Sequence, residues 1–299
     1  MKKCLVEFSD ASAGLGDILV LMPYLEKFRI SYDFEIFFMT KNISWSSLFT
    51  NSFPNIKFIS PGSEIECDKR ITLVHTKHNL PLQQIFATQL GFMDAPYVRP
   101  TVDLPESERQ IKNKYVCIST HSTAQLKFWN HPNGLHDQQF SSNWNDLCAK
   151  LRKSGYTPIC VDYYQDFGTS PFYNFVPVKS VKKLGLPLDE VLKIIQHCDF
   201  FIGLSSGLTW LAHAAGKPVC MISNFTEDWH EIDLSVSDYI RITNKSVCHG
   251  CWNLVGQEFE FNYTDWYWCP RHKGTERQFE CHKSITPEMV FEKLKLWIN

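Results

Sequence analysis

The sequence has no long apolar run. Its most apolar early stretch, Ile18 to Leu25, is eight residues long and contains Pro23, far short of the roughly 20 residues a membrane-crossing helix needs. No leader is readable at the start, because Lys2 and Lys3 meet Glu7 and Asp10 before an apolar region of signal length develops. Charge of one sign is missing as well. The 30 basic and 32 acidic side chains leave a formal net charge of -2, which provides no overall basic field for nucleic acid. No internal repeat and no low-complexity tract is present. These absences predict a soluble globular protein with neither a transmembrane segment nor a nucleic-acid partner.

What is present is size and apolar content. At 299 residues with 44% hydrophobic content, the chain exceeds the usual single domain and can build two cores. The 11 cysteines are an odd number, and Cys117, Cys160 and Cys220 sit in strand-like apolar surroundings where a thiol acts as a small buried hydrophobe. With no leader, this favours a reducing cytoplasm over a disulfide scaffold.

Short apolar runs alternate with helical patterns: a strand at Cys4 to Phe8, a helix at Ile18 to Ile30, a strand at Phe34 to Thr40, a helix near Trp45 to Thr50, and a strand at Ile56 to Ile59. That order predicts an α/β fold, a parallel sheet wound with crossover helices. The charged stretch Pro100 to Lys114 reads as an interdomain link. Beyond it, strands are expected at Tyr115 to Ser119, Thr157 to Val161, Asn174 to Val178, Phe200 to Leu204, Val219 to Ile222 and Tyr239 to Ile242. Helices are expected at Trp144 to Lys153, Leu188 to His197 and Thr209 to Ala215. From Val247 to Lys283 cysteines and aromatics replace this pattern, as in an inserted finger, and Thr286 then caps a last helix with Pro287 at its first position. Two such wound domains place the carboxyl ends of both sheets on one cleft, where ligands bind.

Chemistry is therefore sought at the strand-to-helix junctions. The first, Ala13-Gly14-Leu15-Gly16-Asp17, follows the opening strand. Asp17 is either a helix cap or a carboxylate held at the cleft as general base. The second runs from Ser119 and Thr120 through Ser122 and Thr123 to Lys127. Small hydroxyls, N–H groups and one ammonium suit a diphosphate, although a lysine without other context is a solvated surface group. At the third, a buried strand enters Ser205-Ser206-Gly207-Leu208-Thr209 and a short Ala-rich helix ended by Gly216. Free N–H groups from Gly207 to Thr209 would meet a phosphate, and the plain alternative is a glycine-containing crossover with no ligand. His213, on the same helix, reads as a core histidine.

The finger carries Cys248, Cys251, Cys269 and Cys281 at the spacing C-x2-C-x17-C-x11-C. Four soft ligands at this spacing suit a tetrahedral site for zinc or iron. Two disulfides compete with that reading and are disfavoured by a reducing compartment, and His272 and His282 are reserve ligands.

Taken together, the Gly-Leu-Gly-Asp opening, the block from Ser119 to Asn130, and the run from Gly203 through Asn224-Phe225-Thr226-Glu227-Asp228-Trp229 to the cysteine finger resemble the bacterial autotransporter heptosyltransferases. Those are similar in turn to the lipopolysaccharide heptosyltransferases of GT-B fold, which lack the finger. The resemblance covers nearly the whole chain. It implies a GT-B fold of two facing Rossmann-like domains with an inserted four-cysteine metal finger at 247–283; residues 1–107 would form the acceptor side and 108–299 the nucleotide-sugar side. It also implies an inverting transfer of heptose from ADP-glycero-manno-heptose to serine or threonine hydroxyls of an autotransporter adhesin. On this resemblance Asp17 is the base, Lys127 holds the donor diphosphate, and Asn224, Thr226 and Glu227 join the donor-binding set. The four cysteines would hold one structural iron, with zinc as runner-up. Members of that family carry a further N-terminal domain before the Gly-Asp turn, which here begins at residue 14; acceptor identity and homo-oligomerisation stay open. A glycan-directed heptosyltransferase and a nucleotide-heptose binding module without turnover are the rival readings.

Overall fold

The computed structural model describes residues 2–9, 13–75, 78–120, 129, 143–162, 179–180, 187–262, 265 and 268–298. The first half winds through β1 (Lys2–Phe8), α1 (Leu15–Tyr32), β2 (Phe34–Met39), a 3-10 turn (Ile43–Leu48), β3 (Ile56–Ile59), β4 (Lys69–Leu73) and α2 (Leu82–Gln89). Its sheet has the order β3-β2-β1-β4, with every pairing parallel. The second half contains β5 (Tyr115–Ser119), α3 (Asn143–Lys153), β6 (Thr157–Cys160), β7 (Lys179–Ser180), α4 (Leu188–Ile195), β8 (Phe200–Leu204), α5 (Gly207–Ala214), β9 (Val219–Ile222) and β10 (Tyr239–Ile242). These strands form a parallel sheet in the order β10-β9-β8-β5-β6-β7. The central strands β5 and β8 are buried at every position, as parallel strands covered on both faces must be.

The chain closes with a second 3-10 turn (Cys251–Leu254), α6 (Glu280–Lys283) and α7 (Pro287–Leu294). Thr286 caps α7 as expected, its hydroxyl accepting from the Met289 N–H at 3.2 Å. The sequence reading differs from the structure in a few places. The helix expected near Trp45 is a 3-10 turn, and β4 and α2 had no counterpart, because KRITL opens with two charges at a sheet edge and has only Ile71 and Leu73 as apolar residues, and α2 is only eight residues long. The strand expected at Asn174 to Val178 lies outside the described residues.

One apolar cluster runs from Cys4 and Val6 through α1 and α5 to Cys117 and Val219. Helix α1 is apolar on most of its circumference and packs against α5 of the other half, as an all-round hydrophobic helix must to be covered. A second cluster fills the opposite face of the larger sheet, and a third, built on Phe225, Trp268 and Phe279, fills the finger.

Candidate active site

Asp17 sits in the first turn of α1 because that helix starts at Leu15, earlier than the apolar periodicity suggested. Its Oδ2 accepts the Gly14 N–H at 2.8 Å, so the cap reading holds: Asp17 is the N3 carboxylate that reaches back over the helix N-terminus. Its side chain is still 24% exposed. Cap and cleft carboxylate are therefore compatible roles for this one residue.

The first and third junctions meet. A Cβ on Gly207 would lie 2.8 Å from Leu15 Cβ, and one on Gly16 would lie 3.1 Å from Trp210 Cδ1. The absence of a side chain at Gly207 lets the N-termini of α1 and α5 approach this closely, and Gly16 leaves room for the Trp210 ring. Of the N–H groups expected to be free, that of Thr209 donates to the Ser206 carbonyl at 3.1 Å, those of Gly207 and Leu208 have no helical carbonyl ahead of them, and Ser206, Gly207 and Leu208 keep partial exposure beside the Asp17 turn. Leu208 also lines a cavity of about 330 Å³ between the halves, with Trp45 and Leu48 from the first and Val161 and Leu188 from the second.

Other residues of the expected donor set are committed to the frame of the site. The Ser119 hydroxyl donates to Asp162 Oδ1 at 2.7 Å, and the Thr120 N–H and hydroxyl both donate to Asp162 Oδ2 at 2.7 Å. Ser205 donates to Glu231, Thr209 donates to the Leu204 carbonyl at 2.6 Å, and Thr226 donates to Glu231 at 3.2 Å. Asn224 is fully buried, its amide donating to the Asn244 and Cys281 carbonyls and its oxygen accepting from the Asn244 N–H. Glu227 sits half-buried, its N–H donating to Asn253 Oδ1 at 2.7 Å and its carboxylate 3.7 Å from His249 Nε2. Ser122, Thr123 and Lys127 lie outside the described residues. His213 is the core histidine it was read to be, buried and bonded to Tyr97 Oη at 2.7 Å. Burial pulls it down to about 3.

Sequence reasoning missed the buried carboxylates Asp162 and Glu231, and it missed His75. Asp162 stands just past the end of β6, a signal that was available; Glu231 and His75 become visible only through their contacts.

In the finger all four expected ligands are free thiols, with Cys251, Cys269 and Cys281 buried and Cys248 half-buried. Cys251 shares a hydrogen bond with Cys248 and interacts electrostatically with Cys281 and Cys269. That bond, aided by Arg271, holds the Cys248 thiol well below its usual range, whereas burial pushes Cys281 up to about 12. Among the described residues, the potential ligand atoms within 4.8 Å of one another belong to Cys248, His272 and Glu280, and Cys251, Cys269 and Cys281 stand outside that group. The finger is thus a cluster of thiols without a closed four-sulfur geometry. Its donor chemistry nonetheless fits a thiophilic cation, which favours the thiolate form that burial opposes.

The finger also reaches the first half of the chain. Trp252 meets the His78 ring edge-on at 4.5 Å, and Asn253 donates to the His78 carbonyl.

No protein-family profile matches the chain. By sequence it is 35% identical to the autotransporter heptosyltransferase Aah of Escherichia coli over 301 residues, covering 97% of this chain and 72% of Aah. The crystal structure of the iron-containing dodecameric glycosyltransferase TibC from enterotoxigenic E. coli H10407 matches with a TM-score of 0.83 at 30% identity, covering 99% of this chain and 76% of TibC. TibC has also been solved in complex with ADP-D-beta-D-heptose, and that structure matches equally well over 100% of this chain and 77% of its own. E. coli ADP-heptose lipopolysaccharide heptosyltransferase II, 12% identical with a TM-score of 0.63 over 100% of this chain and 98% of its own, shares the fold, which is GT-B-like. This chain belongs to the autotransporter heptosyltransferase family.

Proposed function

We propose that this protein transfers heptose from ADP-glycero-manno-heptose to serine or threonine hydroxyls of an autotransporter passenger, with inversion at the anomeric carbon. The observation that supports this reading is the meeting of the two glycine turns, which brings Leu15 and Gly16, the residues just before Asp17, against Gly207 and Trp210 at the start of α5. The passenger oxygen attacks the anomeric carbon and gives its proton to Asp17. The bond to the diphosphate breaks on the opposite face, and one displacement inverts the centre. The departing ADP is held by N–H groups of Gly207 and Leu208, by Ser206, and by Lys127 with Ser122 and Thr123. A positioned base contributes about 10²–10⁴-fold, so orientation and charge stabilisation supply most of the acceleration.

In this reading Cys248, Cys251, Cys269 and Cys281 hold one iron, with zinc as runner-up. The metal would supply structure, since four thiolates drawn around it would leave no open position for substrate. The protein works in the cytoplasm and, like TibC, assembles from identical copies.

Purified protein given ADP-heptose and a passenger should release ADP, and NMR of the glycopeptide should show an anomeric configuration opposite to that of the donor. Retention would strike the single displacement, transfer to lipopolysaccharide instead would strike the acceptor, and donor binding without turnover would strike the enzyme. Lys127→Ala should weaken donor binding by about tenfold or more, as loss of a charge-assisted contact does; an unchanged donor Kd would remove Lys127 from the diphosphate site.

A further inference from the structure

We infer that His75 is a positioning residue for Asp17, donating its Nε2–H to the carboxylate while Asp17 receives the proton of the acceptor hydroxyl. The inference deepens the reading of Asp17 as base and rests on it. His75 Nε2 lies 3.9 Å from Asp17 Oδ2. Hydrogen bonds between catalytic groups are often long before substrate arrives and tighten in the complex.

The sheet brings the two residues together. Phe8, at the end of β1, is in register with Leu73 at the end of β4, and the Ser9 N–H donates to the Leu73 carbonyl at 2.9 Å. The chain after β1 leads to Gly14 and Asp17, while the loop leaving β4 reaches His75 two residues on. The neighbouring Val74 is clamped by one side chain, Gln89, which accepts its N–H and donates to its carbonyl, both at 2.9 Å. The far end of the loop is held by His230, whose Nδ1 pairs with the Leu80 carbonyl at 2.9 Å, and by Asn253 on the His78 carbonyl.

The imidazole itself is fixed by rings. It stacks on Phe8 with centroids 5.5 Å apart and planes 17° from parallel, and it meets Phe86 edge-on at 5.3 Å. Packing alone would be served by another phenylalanine. A histidine held this way presents a nitrogen to Asp17 while both side chains keep exposure, 29% and 24%. Asp17 Oδ2 then takes two donors, the Gly14 N–H and His75, which leaves Oδ1 for the hydroxyl proton. His75 neither gains nor loses a proton over the cycle.

Three variants separate a donated hydrogen bond from packing and from proton transfer. His75→Phe keeps the stack and removes the nitrogen; His75→Ala removes both; His75→Gln restores an N–H donor without a ring or a base. Kcat for transfer to the passenger is measured beside donor Kd. His75→Phe and His75→Ala should lose up to about a hundredfold in kcat, the scale of a misoriented catalytic group, with donor Kd unchanged. His75→Gln should recover most of the loss. Wild-type kcat in folded His75→Phe would overturn the inference, and so would a His75→Gln variant as slow as His75→Ala, because the ring would then act by packing or as a base. An inactive wild-type protein or a fully active Asp17→Asn would instead strike the underlying reading of the site, whereas an inactive Asp17→Asn beside a full-speed His75→Phe would strike only the role of His75.

Discussion

At the residue scale, the site is held by buried polar groups whose partners can be removed one at a time. Glu231 accepts from Ser205, Thr226 and Trp210, so Glu231→Gln would point an amide donor at groups that are themselves donors. A loss of about 1–3 kcal/mol is expected for this mismatch, read from the denaturant midpoint; an unchanged midpoint would show that the cluster does not frame the α5 turn. His213 gives a pH test. Burial, reinforced by Arg99, pulls its imidazole from 6.5 to about 3. Below pH 6.5 the unfolded chain takes up a proton at this position that the folded chain refuses. The stability attached to neutral His213 is therefore complete above that pH and is lost as pH falls toward 3. A His213→Gln variant should show a shallower fall in unfolding midpoint with acid than wild type, and equal slopes would contradict the assignment.

At the scale of elements, the glycines allow the starts of α1 and α5 to pack closely. Gly207→Ala would push a methyl group to 2.8 Å from Leu15 Cβ, and overpacking of this kind typically costs about 1–3 kcal/mol. Donor affinity should fall with thermal stability; a variant with normal donor Kd and normal Tm would mean that the turns tolerate separation. Trp252 is half-buried against Phe225, Phe261 and His78. Trp252→Ala should cost about 2 kcal/mol, less than the roughly 3–5 of a fully buried tryptophan, and should slow transfer by loosening the loop that carries His75. Undiminished kcat would separate the finger from the cleft.

The same scale shows what could be read from sequence. Runs such as YVCIS and FFIGL are buried on both faces and announce themselves, and so do the Gly-Asp turn and the Ser-Ser-Gly turn at strand ends. The edge strand β4 did not, since Lys69, Arg70 and Thr72 face solvent. His75 was hidden with it, because its meaning lies in a register between strands 65 residues apart in sequence, Cys4 to Lys69. Asn224 and Thr226 belong to the expected donor set, but their hydrogen bonds run inward to Asn244, Cys281 and Glu231, which no local pattern reveals.

At the scale of the molecule, the finger and the cleft are one assembly. Asn224 ties the end of β9 to the Cys281 carbonyl, and Asn253 ties the turn after Cys251 to the first half. Replacing Cys248, Cys251, Cys269 or Cys281 by serine should lower metal content and destabilise the second half, whereas Cys4→Ser and Cys67→Ser should not change metal content. Elemental analysis finding no metal in the wild-type protein would remove the structural iron. The most direct test of the whole account is the intact mass of an autotransporter passenger co-expressed with the wild-type chain and with Asp17→Asn. Wild type should add heptose to the passenger, and folded Asp17→Asn should add none; an unmodified passenger with wild type, or equal modification with both, would contradict a heptosyltransferase that uses Asp17 as its base.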